Sequence, residues 1–127
     1  NGILFWSPCS NAYECFRHLL GDERFELGMS GHDVDFMGDR VGKEFFLDLQ
    51  NEELNTLKPL EGFEKPVYFI HGSADTDVLP VNSENYLKVL PGSERHLVEG
   101  AGHGYDGWEL QDELWKYSKE YIRRIMD

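Results

Sequence analysis

Only two cysteines, Cys9 and Cys15, occur in this chain. One pair is too few for a disulfide framework, and neither sits in a CxxC motif. A reduced pair is the simplest account, with no cysteine-built zinc site. Basic side chains are scarce too: 12 Lys and Arg stand against 24 Asp and Glu, a formal net charge of −12. That balance keeps a protein soluble and repels phosphate backbones and anionic lipid, which argues against a nucleic-acid partner. No apolar run approaches the ~20 residues of a membrane helix. No basic, apolar leader opens the chain either. The expectation is therefore no membrane partner and a cytoplasmic location. Internal repeats, low-complexity tracts and linkers are also absent. So is an initiator methionine: the chain begins "NGILFWSP", already inside a strand-like run. We expect residue 1 to be a cut through a longer protein.

What is present suits one globular domain over residues 1–127. Hydrophobic residues make up 40% and aromatics 13%, enough for a core that could support folding. Gly2 to Trp6 is a continuous apolar run of the kind buried on both faces of a parallel sheet. Asn11 to Leu20 predicts a short helix ended by Gly21. Across residues 25–46, "HDVDFMGDRVGKEFF" alternates polar and apolar on both sides of Gly38-Asp39, which predicts a β-hairpin or small excursion. Leu47 to Leu57 predicts a helix ended by Pro59. "KPVYFIHGSAD" is the clearest strand, opened by Pro66 and closed at His71-Gly72. Asn82 to Leu90 predicts a helix with Tyr86, Leu87 and Leu90 on one face, and "ERHLVEG" another strand. Trp108 to Ile125 is the longest helix, with Leu110, Leu114, Tyr117, Tyr121 and Ile125 in one stripe. Strands alternating with helices indicate an α/β layered fold with a parallel sheet.

In such sheets chemistry gathers on the loops at the carboxyl ends of the strands. Asp75 follows one strand and His103 the next. On neighbouring strands ~5 Å apart, both side chains reach one edge of the sheet. A carboxylate accepting from imidazole fixes its tautomer, so the histidine can take a proton from a nucleophile and return it to a leaving group. The glycines of "VEGAGHGYDG", around His103, let the loop turn tightly and leave room for substrate.

The stretch "PVYFIHGSADTDVLPVNSENYLKVLPGSERHLVEGAGHGY" resembles the carboxyl-terminal part of the α/β-hydrolase superfamily. The likeness is to feruloyl or cinnamoyl esterases, dienelactone hydrolases and serine aminopeptidase-like members. "NGILFWSP" resembles the strand before the lid insertion, and residues 25–57 take the lid position. The specific part of the resemblance is residues 66–105. It implies the carboxyl-terminal half of an α/β-hydrolase fold, with a small-molecule ester or peptide substrate and no cofactor or metal.

Carried over by position, Asp75 is the acid and His103 the base. Pro80 stands five residues after Asp75 where relatives place a proline four after the acid, which makes Asp77 a contender. Asp75 keeps the family's spacing from His71-Gly72. The nucleophile is the larger departure, since no Gly-x-Ser-x-Gly elbow is present. "GMSGH" at 28–32 comes nearest, but His32 replaces the last glycine and Ser30 reads as a turn serine. Ser73 lies too close to Asp75. The resemblance thus implies a nucleophilic serine upstream of residue 1. The strand at residues 2–6 would then pair with that upstream half, or expose Ile3, Leu4, Phe5 and Trp6 to self-association. A rival reading is a folded, non-catalytic unit that kept the histidine loop.

The other candidates have plainer readings. His71 serves as a strand-end packing or hydrogen-bonding residue. His18, His32 and His96 lack partners at a telling spacing and default to surface or turn roles. His32 with Asp33 and Asp35, or His71 with Asp75 and Asp77, could contact a metal but match no recognised ligand spacing. Trp108, Trp115 and Tyr121 read as core aromatics. Phe36, Met37, Phe45 and Phe46 could line an acyl pocket or simply pack the excursion.

Overall fold

A computed structural model describes residues 1–51 and 54–127. In chain order the elements begin with β1 (Ile3–Trp6), α1 (Ala12–Leu20), α2 (Asp22–Met29), β2 (Val34–Phe36), β3 (Asp39–Val41) and α3 (Lys43–Gln50). A 3₁₀ turn at Lys58–Leu60 leads to β4 (Val67–Gly72), α4 (Val81–Val89), β5 (Glu94–Val98) and α5 (Trp108–Met126). They form two compact units, Asn1–Ser10 with Leu57–Asp127, and Asn11–Thr56.

The first unit is built on β4. Its sequence, VYFIHG, is rich in β-formers, and all six residues are buried. β1 and β5 pair with it on either side, both parallel, in the order β1-β4-β5. Successive side chains of β4 point to opposite faces. Val67 and Phe69 meet Tyr86 and Leu90 of the α4 segment, with Ile3 and Phe5 of β1 against them. Tyr68 and Ile70 meet Leu114 and Tyr121 of α5, with Leu4, Leu110, Tyr117 and Ile125 packed around them. The sheet is thus covered on both faces, which is why β4 reads as a continuous apolar run. The stripe expected on α5 is the face that covers it.

β1 differs from expectation. It forms one edge of the described sheet, so its residues are half-buried and Trp6 is 45% exposed. Trp6 leans on α5, with its indole N–H donating to Ser118 Oγ at 3.0 Å and its ring edge-on to Trp115.

In the second unit, Asn11 caps α1 by accepting from the Glu14 N–H at 3.1 Å, and Gly21 ends it. α2 starts at once, and the residue reading missed it. Only Phe25 and Gly28 of this helix are buried, too few to print a stripe in the sequence. β2 and β3 form the expected hairpin, but the turn is Met37-Gly38 rather than Gly38-Asp39. Both turn residues have positive φ, 55° and 87°, the left-handed pair that a two-residue hairpin with right-handed twist requires. The expected helix over 47–57 is α3, which begins at Lys43 and ends at Gln50. "KEFF" belongs to its first turn, not to the hairpin. Glu52 and Glu53 of that expectation lie outside the described residues, and Leu54 to Leu57 are not helical. Phe25, Phe46 and Leu49 form the core of this unit, with Phe36 and Phe45 packed against it. Met37 points away from that core. Among the described residues, no helix is long and apolar enough to cross a membrane.

Candidate active site

Two loops meet at the carboxyl ends of β4 and β5, and their backbones are laced together. Ser73 N–H donates to the Val98 carbonyl at 2.9 Å and Ala74 N–H to the Ala101 carbonyl at 3.0 Å. Gly100 N–H donates back to Ser73 Oγ at 2.8 Å. The approach is close enough to require glycine. A Cβ on Gly72 would sit 2.2 Å from the Ala101 oxygen and 2.9 Å from that of Gly102.

Asp75 is buried at this junction and 2% exposed. Its Oδ1 accepts from the backbone N–H groups of Asp77, at 3.0 Å, and Val78, at 2.9 Å. The carboxylate is thereby held by its own turn, and Oδ2 is left to face His103 Nδ1 at 2.9 Å. A carboxylate accepts, so Nδ1 carries the proton and Nε2 keeps its lone pair. His103 is 43% exposed, and among the described residues of its unit Asp75 is the only side chain bonded to it. The structure thus brings Asp75 and His103 together, while Asp77 is exposed and meets Asp75 through its main chain.

His71 is a fully buried, hydrogen-bonding residue at the end of its strand. Its Nε2 lies 2.7 Å from the Val78 carbonyl and 3.3 Å from Asp75 Oδ2. A carbonyl cannot donate, so Nε2 bears the proton, and Nδ1 lies 3.0 Å from Ser83 Oγ, whose one hydroxyl proton is shared with the Pro80 carbonyl at 3.0 Å. Arg95 in turn donates to Ser83 Oγ at 3.1 Å and to the Pro80 carbonyl at 3.0 Å. Ser83, Arg95 and Val78 escaped the residue reading because no local pattern distinguishes a helix serine or a strand arginine that turns inward.

Burial lowers the His71 pKa, outweighing the pull of the Val78 carbonyl and of Asp75. The native state therefore holds it neutral, and the contribution to stability is complete above the unfolded-state value of about 6.5. As pH falls below that, the unfolded chain gains a proton that folded His71 refuses, and stability drops. Urea midpoints at pH 7.5 and 5.5 should show a smaller acid loss in His71→Gln than in the parent. An equal loss in the two proteins would rule out this source.

The remaining candidates lie elsewhere. Ser30 caps the end of α2, exposed, with Oγ donating to the Leu27 carbonyl at 2.7 Å and lying 3.1 Å from His32 Nδ1. Asp33 takes the Lys43 N–H at 2.9 Å and the Arg40 guanidinium at 2.9 Å. Among the described residues no group of three His, Cys, Asp or Glu is arranged to hold a metal ion. His96 does have a partner, Glu113 at 2.7 Å, and stacks on Tyr117; the pairing spans strand and helix, which spacing alone cannot show. Tyr121 is a core aromatic, but Trp108 and Trp115 are 73% and 51% exposed, off the stripe that faces the sheet. Two buried residues at this sheet end were missed outright, Ser7 and Tyr105, which bond to each other at 2.9 Å.

No protein-family model matches the sequence, and no curated protein does. Solved structures do. Est1E from Butyrivibrio proteoclasticus superposes with a TM-score of 0.70 at 20% identity, over 96% of this chain and 51% of that one. Est1E with ferulic acid bound gives 0.71 at 16% identity, over 98% and 49%. A bromoperoxidase from Bacillus anthracis gives 0.55 at 18% identity, over 97% and 58%. The chain spans about half the length of each of these structures. Its parallel sheet, flanking helices and small hairpin are the carboxyl-terminal half of an α/β-hydrolase fold.

Proposed function

We propose that this chain carries the acid and the base of a serine hydrolase acting on ester or amide bonds, with the nucleophile supplied from outside residues 1–127. The observation that carries the reading is the 2.9 Å bond from His103 Nδ1 to Asp75 Oδ2, with the aspartate buried and the far side of the imidazole open. In this reading His103 Nε2 takes the hydroxyl proton as the serine oxygen bonds to the substrate's carbonyl carbon. It returns that proton to the departing alcohol or amine as the C–O or C–N bond breaks. Water then repeats the sequence on the acyl-enzyme. Asp75 stabilises the imidazolium through both halves, and no cofactor is called for.

The ferulic acid held by Est1E favours small-molecule esters as the substrate class, and residues 25–57 take the lid-like insertion's place in the chain order that the family resemblance implies. The free edge of β1 would pair with a strand of the remaining half, or of a second copy, since an open apolar edge invites pairing. Light scattering of this chain alone at micromolar concentration should therefore show more than a monomer.

A fluorophosphonate probe followed by mass spectrometry tests the chemistry. The 127-residue chain should give no adduct, and the chain extended by its preceding coding sequence should be labelled upstream and hydrolyse 4-nitrophenyl acetate. An adduct on Ser30 lost in His103→Ala would overturn the missing nucleophile. An extended chain that neither labels nor hydrolyses would leave the non-catalytic reading.

A further inference from the structure

Among the described residues, three that are not glycine have positive φ: Ser7 at 43°, Met37 at 55° and Tyr105 at 51°. Met37 turns the hairpin. The other two are bonded to each other, Ser7 Oγ to Tyr105 Oη at 2.9 Å, across 98 residues of sequence. Both are buried. A glycine would adopt either backbone more readily, so side chains retained there against that preference point to the side chains themselves as what the fold needs.

The protons have one consistent arrangement. Tyr105 Oη donates to the Ile70 carbonyl at 3.1 Å, which also accepts from Ser7 N–H at 2.9 Å. With the phenol's proton committed to Ile70, the Ser7 hydroxyl donates to Tyr105 Oη. Burial raises the Tyr105 pKa, so the phenol remains a donor at neutral pH. Three segments are tied at one carbonyl: the end of β1, the middle of the sheet and the loop that carries His103.

That loop has little else to hold it. From Gly102 to Gly107, Tyr105 is the one buried residue. His103 sits between two anchors, buried Ala101 on one side and Tyr105 on the other, and three of the six residues in this span are glycines. A glycine-rich loop without its second anchor has many conformations open to it. Asp75 orients the ring, but a ring bond alone does not set the height of the backbone that carries it.

We infer that the Ser7–Tyr105–Ile70 clasp is a positioning device that holds the His103 loop at a set height over the sheet and registers it to β1. The inference rests on the hydrolase reading only in giving His103 a partner to meet. A strand added beyond β1 would then be aligned with the imidazole through Ser7.

The test uses the 127-residue chain and the variants Tyr105→Phe, which keeps the ring, and Ser7→Ala, which keeps the Tyr105–Ile70 bond. Hydrogen exchange is followed by NMR at the Gly102 and Gly104 amides and at His103 Nδ1–H, against the Phe69 and Ile70 amides of β4. Tyr105→Phe should speed exchange in the loop about tenfold beyond any change in β4, as loss of one net hydrogen bond implies. Ser7→Ala should act in the same direction. In the extended, active enzyme kcat should fall by a similar factor with KM unchanged. Loop and β4 rates rising together in both variants would mean a purely structural bond and overturn the inference. Faster loop exchange in a chain that proves to have no hydrolase activity would uphold the clasp and remove only the hydrolase reading.

Discussion

On the proposed hydrolase reading, His103→Ala is expected to lower kcat by about 10⁶-fold once a nucleophile is supplied, and Asp75→Asn by about 10⁴-fold. The ranking follows from the geometry. Nε2 of His103 is the open nitrogen at this junction, so its loss removes both proton transfers at once. An asparagine at position 75 can present an N–H to Nδ1, which favours the tautomer with its proton on Nε2, where it cannot act as a base. Because the two groups act as one unit, the double variant should be no slower than His103→Ala. KM should change little in each, since neither group is needed to bind the ground state. Asp77→Asn decides between the two carboxylates: its side chain is exposed, and the expected change is less than about threefold. Steady-state kinetics on 4-nitrophenyl acetate, with active sites titrated, read all of these. A His103→Ala enzyme within tenfold of the parent would remove His103 from the chemistry.

The second large effect is on folding. Gly72→Ala places a Cβ 2.2 Å from the Ala101 oxygen, 2.8 Å from its carbonyl carbon and 2.9 Å from the Gly102 oxygen. All three are backbone atoms, so no rotamer relieves the clash. Either the end of β4 or the His103 loop must move, at about 1–3 kcal/mol for the overpacking alone. The Ala74-to-Ala101 bond, at 3.0 Å, is lost or stretched as well, for about 1 kcal/mol more. Restricting the unfolded chain returns only about 0.4–1 kcal/mol, so destabilisation wins. Whatever fraction still folds has its imidazole displaced, and a shift of about 1 Å can cost about 10²-fold in rate. Urea unfolding should show a loss of about 1–4 kcal/mol. A loss below about 0.5 kcal/mol would mean that the two loops are looser than their bonds indicate.

Wherever the information was local, the sequence by itself determined this protein. The β4 run, the α5 stripe and the cap at Asn11 are patterns of neighbours along the chain, and burial on both sheet faces or one helix face prints them directly. The strands that Asp75 and His103 each follow placed both residues on loops at one end of a sheet, and the family resemblance implied their roles. Sequence left the choice between Asp75 and Asp77 open. Tertiary structure decided which one faces His103, because the Asp75 turn folds back on its own carboxylate and buries it.

The rest was decided in three dimensions. α2 buries only two residues, so its helix leaves almost no period in the sequence. Trp108 and Trp115 are as apolar as any core residue, yet lie off the stripe that faces the sheet. Pairs such as His96–Glu113 and Ser7–Tyr105 join segments 17 and 98 residues apart. A hydrogen bond between such segments depends on how strands and helices stack, and that is set by the packing of the whole sheet rather than by any neighbour in the chain.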